Sequence, residues 1–177
     1  MIRLILPTLL CWVLPVLNAC SGSTALNAGT PPLLPEGSLM PEQGWESLIK
    51  GTDCLVYSLD PDLDFKYGNQ NKMGIRTFQG WRVLKELRPT MATRYELAEA
   101  LAKASRPLGG NPVDCFNPRH GIRSTINGKT YDFVICFQCN SYHVYVDSKL
   151  AATVPLSKQP RGLFNATVTD VSLVPGN

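Results

Sequence analysis

Apolar and polar positions follow four different patterns along this chain. Residues Leu4 to Leu17 are fourteen consecutive uncharged, mostly apolar residues behind one basic residue, Arg3. A membrane-spanning helix needs about twenty apolar residues, so the run is too short, and Pro7 and Pro15 weaken it further. Its length is that of the apolar core of a secretory signal peptide. From Ser21 to Gly44 there is no helical or strand period. The segment is rich in Ser, Gly and Pro, carries only Glu36 and Glu42 as charges, and predicts a flexible tether. Periodicity begins near Pro41, which can open a helix with Trp45, Leu48 and Ile49 on one face and Gly51 at its end.

Further elements follow from the same reasoning. Cys54 to Leu59 predicts a strand, closed by the turn-forming Asp60-Pro61-Asp62, and the polar, glycine-containing residues 63–80 read as a long loop. Trp81 to Leu87 predicts a second strand, ended by Pro89. Thr93-x-x-Glu96 has the form of a capping box, in which a hydroxyl and a carboxylate satisfy each other's backbone N–H groups. Leu97, Leu101 and Ala104 then recur at helical spacing, with Ala98 beside them, until Pro107 and Gly109-Gly110. Beyond that the period becomes two. Ile122 to Ile126 and Thr130 to Phe137 flank Asn127-Gly128, whose positive φ angles suit a type I′ hairpin turn. Tyr131, Phe133, Ile135 and Phe137 fall on one face, with Val134 and Cys136 on the other. Tyr142 to Asp147 predicts another strand, and Leu163, Val168, Val171 and Leu173 leave a short helix or an edge strand open. The expected class is α+β: one main helix on an antiparallel sheet of about five strands, supported by disulfides or metal.

Composition changes this picture little, and the chain's start changes it a great deal. The 177 residues carry a net charge of +3 without a basic run, which argues for one domain and against a nucleic-acid binder. Leu17-Asn18-Ala19-Cys20, followed by Ser21, resembles the bacterial lipobox. The resemblance implies cleavage between Ala19 and Cys20 and triacylation of Cys20, because several acyl chains anchor stably where one does not. Ser21 in place of Asp resembles the sorting pattern for the outer membrane, facing the periplasm or the cell surface, in a Gram-negative host. The expected layout is a signal peptide over 1–19, a lipidated Cys20 and tether over 20–44, and one domain over 45–177. Cleavage leaves 158 residues and, with Arg3 gone, a charge of +2.

Of the six cysteines, Cys11 leaves with the signal and Cys20 takes the lipid, so Cys54, Cys115, Cys136 and Cys139 remain. The segment Cys115-Phe116-Asn117-Pro118-Arg119-His120-Gly121-Ile122-Arg123, with Val134-Ile135-Cys136-Phe137-Gln138-Cys139 after it, resembles an uncharacterised bacterial family. Its members, many of them secreted or lipid-anchored, carry CFxPRHG(I/L)R followed by VICFxC. Tyr57-Ser58-Leu59-Asp60-Pro61 and Phe78-x-Gly80-Trp81-x-Val83-Leu84 extend the likeness, which covers about residues 54–147. The resemblance implies an architecture and brings no activity; Cys54 lies outside its pattern.

Three chemistries compete for the four cysteines. In an oxidising compartment they are disulfide candidates, with cross-strand bridges feasible and three connectivities open. Alternatively Cys115, His120, Cys136 and Cys139 form a ligand set suited to tetrahedral zinc, with His143 as a spare. That alternative needs the strand to turn after Cys136, since alternation sends Cys136 and Cys139 to opposite faces. Thiol–disulfide exchange through Cys136-Phe137-Gln138-Cys139 is the least favoured, because redox CxxC motifs normally open a helix. Arg119 and Arg123 are candidates for an anion, or for pairing with Asp114 or Asp132. Asp60, Asp62 and Asp64 lack the glycine and distal glutamate of a calcium loop. No catalytic residue is singled out: there is no G-x-S-x-G, H-E-x-x-H or phosphate-binding glycine loop. The expectation is a lipid-anchored, non-enzymatic binding or structural protein with a protein or small-molecule partner and no cofactor.

Overall fold

Pro41 lacks an N–H and is pre-set in φ, and it stands where those properties serve, just ahead of helix α1 (Glu42–Lys50). The computed structural model of the chain describes residues 31–68, 72–108, 116–169 and 174–175. The signal, Ala19 and Cys20 therefore lie outside the described residues. Trp45, Leu48 and Ile49 are buried as their spacing predicts, and Gly51 N–H closes α1 on the Ser47 carbonyl at 3.0 Å. Strand β1 (Thr52–Leu59) follows.

The expected loop over 63–80 contains two elements. Asp62 accepts hydrogen bonds from the backbone N–H of Asp64 (2.9 Å) and Phe65 (3.1 Å), capping the short helix α2 (Leu63–Tyr67). Strand β2 (Thr77–Phe78) then turns through Gln79 (φ 48°) and Gly80 (φ 82°) into β3 (Trp81–Arg88). Helix α3 (Met91–Ala104) is capped three residues before the expected cap at Thr93. Its cap is Thr90, whose hydroxyl accepts the Thr93 N–H at 3.2 Å. Leu97, Ala98, Leu101 and Ala104 are buried, as predicted.

Strands β4 (His120–Ile126) and β5 (Lys129–Cys136) form the predicted hairpin, with φ 51° at Asn127 and 75° at Gly128. They are followed by β6 (Ser141–Val146), β7 (Lys149–Pro155), α4 (Arg161–Thr169) and β8 (Val174–Pro175). The tail thus supplies both a helix and an edge strand. The class is α+β, with four helices and a sheet in the order β2-β3-β1-β4-β5-β6-β7, every pairing antiparallel, and β8 added on β3. Seven strands on one path replace the expected five; α1 and the main helix α3 stand where expected, and α2 and α4 join them. The strands missed from sequence are the two-residue β2 and the mostly exposed β7, neither of which presents an alternating apolar face.

Alternation along the strands feeds two cores. Val56, Ile122, Phe133 and Ile135 face α1, α3 and α4, together with Trp45, Leu48, Leu101 and Phe164. Tyr57, Leu59, Phe78, Trp81 and Val134 pack on the opposite face, where α2 touches β3. The buried Arg94 donates to the carbonyls of Leu48 and Ser47, satisfying the open end of α1 from α3. Part of the tether segment joins the first core: Met40 is buried, Ser38 Oγ donates to the Ala102 carbonyl (2.8 Å), and Leu39 N–H to the Ser105 carbonyl (2.7 Å).

Candidate functional site

One end of the sheet brings together the start of β4, the loop from β5 to β6, and the first turn of α4. The β5–β6 loop is closed by a disulfide between Cys136 and Cys139, with Cα atoms 5.2 Å apart and both residues buried. The bond joins two residues of one turn, where the sequence had left cross-strand bridges open. Each sulfur meets a backbone N–H: Cys139 N–H points to Cys136 Sγ at 3.1 Å, and Asn117 N–H to Cys139 Sγ at 3.2 Å. Cys136 Sγ also lies 3.3 Å from the Asn117 carbonyl. Residues 116–119 are thereby pinned to the loop, and Arg119 carries the ladder onward, its N–H on the Ile135 carbonyl and its carbonyl on the Leu59 N–H.

A cavity of about 20 Å³, room for roughly one water-sized group, opens here between Asn117, Arg119, His120, Phe137, Gln138 and Arg161. His120, 4% exposed, stands between the rings of Phe137 (5.5 Å) and Phe164 (5.7 Å), both edge-on. Burial pushes its imidazole down to about 4; an Asn165 hydrogen bond opposes this, and the charges of Arg161 and Arg119 add to it. His120 is therefore neutral at pH 7. Its Nδ1, like Asn117 Oδ1, is buried without a hydrogen-bond partner among the described residues. The guanidiniums of Arg119 and Arg161 are exposed, and neither forms an ion pair among the described residues.

The other candidates lie elsewhere. Arg123, expected beside Arg119, grips the buried Asp132 through two hydrogen bonds of 2.7 and 2.6 Å, and Gln79 adds a third at 2.6 Å. It belongs to the second face of the sheet. Cys54, one of the four disulfide candidates, is a free thiol in the helix-covered core, pushed up to about 11 by burial against the opposing charges of Arg94 and Arg88. Cys115 and Asp114 lie outside the described residues. Of the zinc set, Cys136 and Cys139 are bonded to each other, and His143 stacks on Phe116 at 3.7 Å. Among the described residues no three metal-ligating side chains converge. Asp60 pairs with Arg82, and Asp62 caps α2. Arg161 was missed because it stands 22 positions beyond Cys139, the end of the motif, and nothing local marks it.

No protein-family model matches the chain, and comparison with curated proteins and with solved structures finds no significant similarity.

Proposed function

We propose that the protein is a lipid-anchored component of the cell envelope whose α+β domain acts by binding a ligand or partner and not by catalysis. One observation carries the localisation: the apolar run of residues 4–17 ends in register with Leu17-Asn18-Ala19-Cys20, where a lipoprotein peptidase would cut and an acyl donor would find its thiol. The Cys136–Cys139 disulfide supports an oxidising compartment. Binding is favoured over catalysis by what the polar side chains are already doing. Glu86, Asp60 and Asp132 are each held by an arginine, and the buried His120 has no carboxylate behind it among the described residues. The same disulfide favours this reading over zinc binding, since it joins two of the four ligands that a zinc site would require as thiolates.

The test is Cys20→Ala in a bacterial host, followed by membrane fractionation and intact-mass measurement. The wild type is expected in the membrane fraction with a cleaved, acylated N-terminus. The variant is expected as an uncut, unacylated precursor. Unchanged processing and unchanged acyl mass in the variant would overturn the proposal. For the domain, metal analysis of the native protein alongside thiol counting with and without chelator is expected to show no stoichiometric metal. Metal released together with thiols from Cys136 and Cys139 would favour zinc instead.

A further inference from the structure

Two arginines of the same charge converge on the cavity beside the disulfide, and the described structure provides no carboxylate to balance them. Arg119 arrives from the segment before β4 and Arg161 from the first position of α4. Two exposed guanidiniums around one opening raise the local concentration of anions there. α4 has nine residues, long enough for its first-turn N–H groups to present a partial positive charge at the same corner. Gly162, in that first turn, has open space where a side chain would stand, so the helix end is accessible.

The buried part of the cavity points the same way. His120 is 4% exposed and lines the cavity, with Nδ1 unpaired. Its hydrogen bond with Asn165 occupies the other nitrogen. Because that bond favours the charged ring, the Asn165 oxygen accepts it and the other nitrogen holds the proton of the neutral ring. Nδ1 faces the cavity as an acceptor and becomes a donor when an arriving anion draws a proton onto the ring. Asn117 adds an unpaired amide oxygen, which can take an acid hydroxyl. The volume of about 20 Å³ admits one oxygen and no more, leaving the rest of the ligand at the rim between the guanidiniums.

We propose that this corner is a binding site for a single small oxyanion group, a carboxylate or a phosphate. One oxygen enters against His120 Nδ1, and the others are held by Arg119, Arg161 and the first turn of α4. Charge-assisted N–H···O bonds of this kind are about twice as strong as neutral ones, and arginine suits the planar or branched oxygens of both groups. The proposal rests on the reading of the domain as a binding module and names the chemistry that the module recognises.

The experiment uses the full acylated chain in neutral detergent, titrated separately with sodium acetate and inorganic phosphate. Chloride holds the ionic strength constant. Binding is read from the His120 imidazole resonances by NMR and from the thermal midpoint. Saturable shifts of the His120 signals with at least one anion are expected, with the imidazole pKa rising from about 4 as negative charge arrives. Preference for acetate assigns a carboxylate ligand, and preference for phosphate assigns a phosphate group. Arg119→Gln and Arg161→Gln should each weaken binding roughly tenfold, equivalent to about 1.4 kcal/mol. Lys129→Gln, an exposed change of the same charge at the β4–β5 turn, should leave it unaltered. No saturation with either anion overturns the proposal, as does equal weakening by Lys129→Gln, which would indicate charge screening alone. Both arginines are exposed, so their variants should keep the wild-type circular dichroism. Should either misfold, the wild-type His120 titration still decides. Loss of anion binding leaves the membrane-anchoring result untouched, so the two readings fail separately.

Discussion

A Cβ on Gly121 would stand 2.5 Å from Cε1 and 2.9 Å from Cδ1 of Phe78, a ring that is buried and stacked on Tyr57 at 4.3 Å. The glycine is required by this close approach between β4 and the β2–β3 turn, and no positive φ is involved. Gly121→Ala must push Phe78 off Tyr57, and overpacking of this kind costs about 1–3 kcal/mol. Urea unfolding should show that loss, with most of it recovered when Phe78→Leu is added to make room. His120 sets a second test through pH. Its folded value is lowered to about 4, mainly by burial, while the unfolded imidazole stays near 6.5. Between those values the unfolded chain binds more protons than the folded one, so stability rises with pH. The contribution is fully present above about pH 6.5 and disappears as pH falls toward about 4. Denaturant midpoints should decline across that window, and His120→Gln should flatten the decline; equal slopes for the two proteins would show that His120 is not buried neutral.

Whether an element was legible depended on how much of its signal is local. The β4–β5 hairpin is, because Asn127-Gly128 needs no distant partner to choose its turn and the alternation on either side fixes the faces. α1 is legible for the same reason, with Pro41, one buried stripe and Gly51 all in sequence order. The start of α3 misled because Thr90 and Thr93 sit three apart and both precede plausible helix. Met91, the first residue of the true helix, is exposed and adds no apolar period to separate them. The structure now does so. Thr90→Ala should cost about 1 kcal/mol, the usual cost of a lost cap, whereas Glu96→Ala should change stability by no more than about 0.5 kcal/mol. Thermal unfolding of the two variants tests this, and the reverse order would restore the sequence-derived box. Elements whose formation depends on tertiary contact were not legible: β7 pairs along β6 through small and exposed residues, and β2 is two residues held by β3. The candidate site divides in the same way. Arg119, His120 and the Cys136–Cys139 loop share a recognisable motif, but Arg161 reaches them only because α4 docks Phe164 against Phe137 at 5.3 Å. Conversely, Arg123 looked equivalent to Arg119 in sequence, and strand register separates them by setting Arg123 opposite Asp132.

At the scale of the molecule, the question is where the tether ends and the domain begins, because that sets how far the domain can stand from the anchor proposed at Cys20. Composition places the boundary near residue 44, since Ser, Gly and Pro continue until Trp45. Packing places it earlier. Leu34 lies against the helix-covered core, Met40 is buried in it, Arg106 donates to the Glu36 carbonyl at 2.9 Å, and Ser38 and Leu39 bond the last turn of α3. The segment from 34 to 40 therefore works as a strap across the C-terminal end of α3, and that end carries on into the Ser105 hydroxyl, 2.9 Å from Tyr142 on β6. A soluble chain beginning at Leu34 keeps every one of these contacts, and one beginning at Pro41 loses them all. Burial of a Met side chain contributes about 1.5–3 kcal/mol, and each net hydrogen bond about 1. The shorter chain should accordingly be less stable by about 3–5 kcal/mol in urea, a large part of the 5–15 kcal/mol typical of a domain. Hydrogen exchange should localise the loss to the last turn of α3 and to β6, with β1 and β4, central in the sheet, losing protection only on global unfolding. Equal stability of the two chains would return residues 34–40 to the tether and lengthen the reach from the proposed anchor by seven residues, roughly 23 Å if extended.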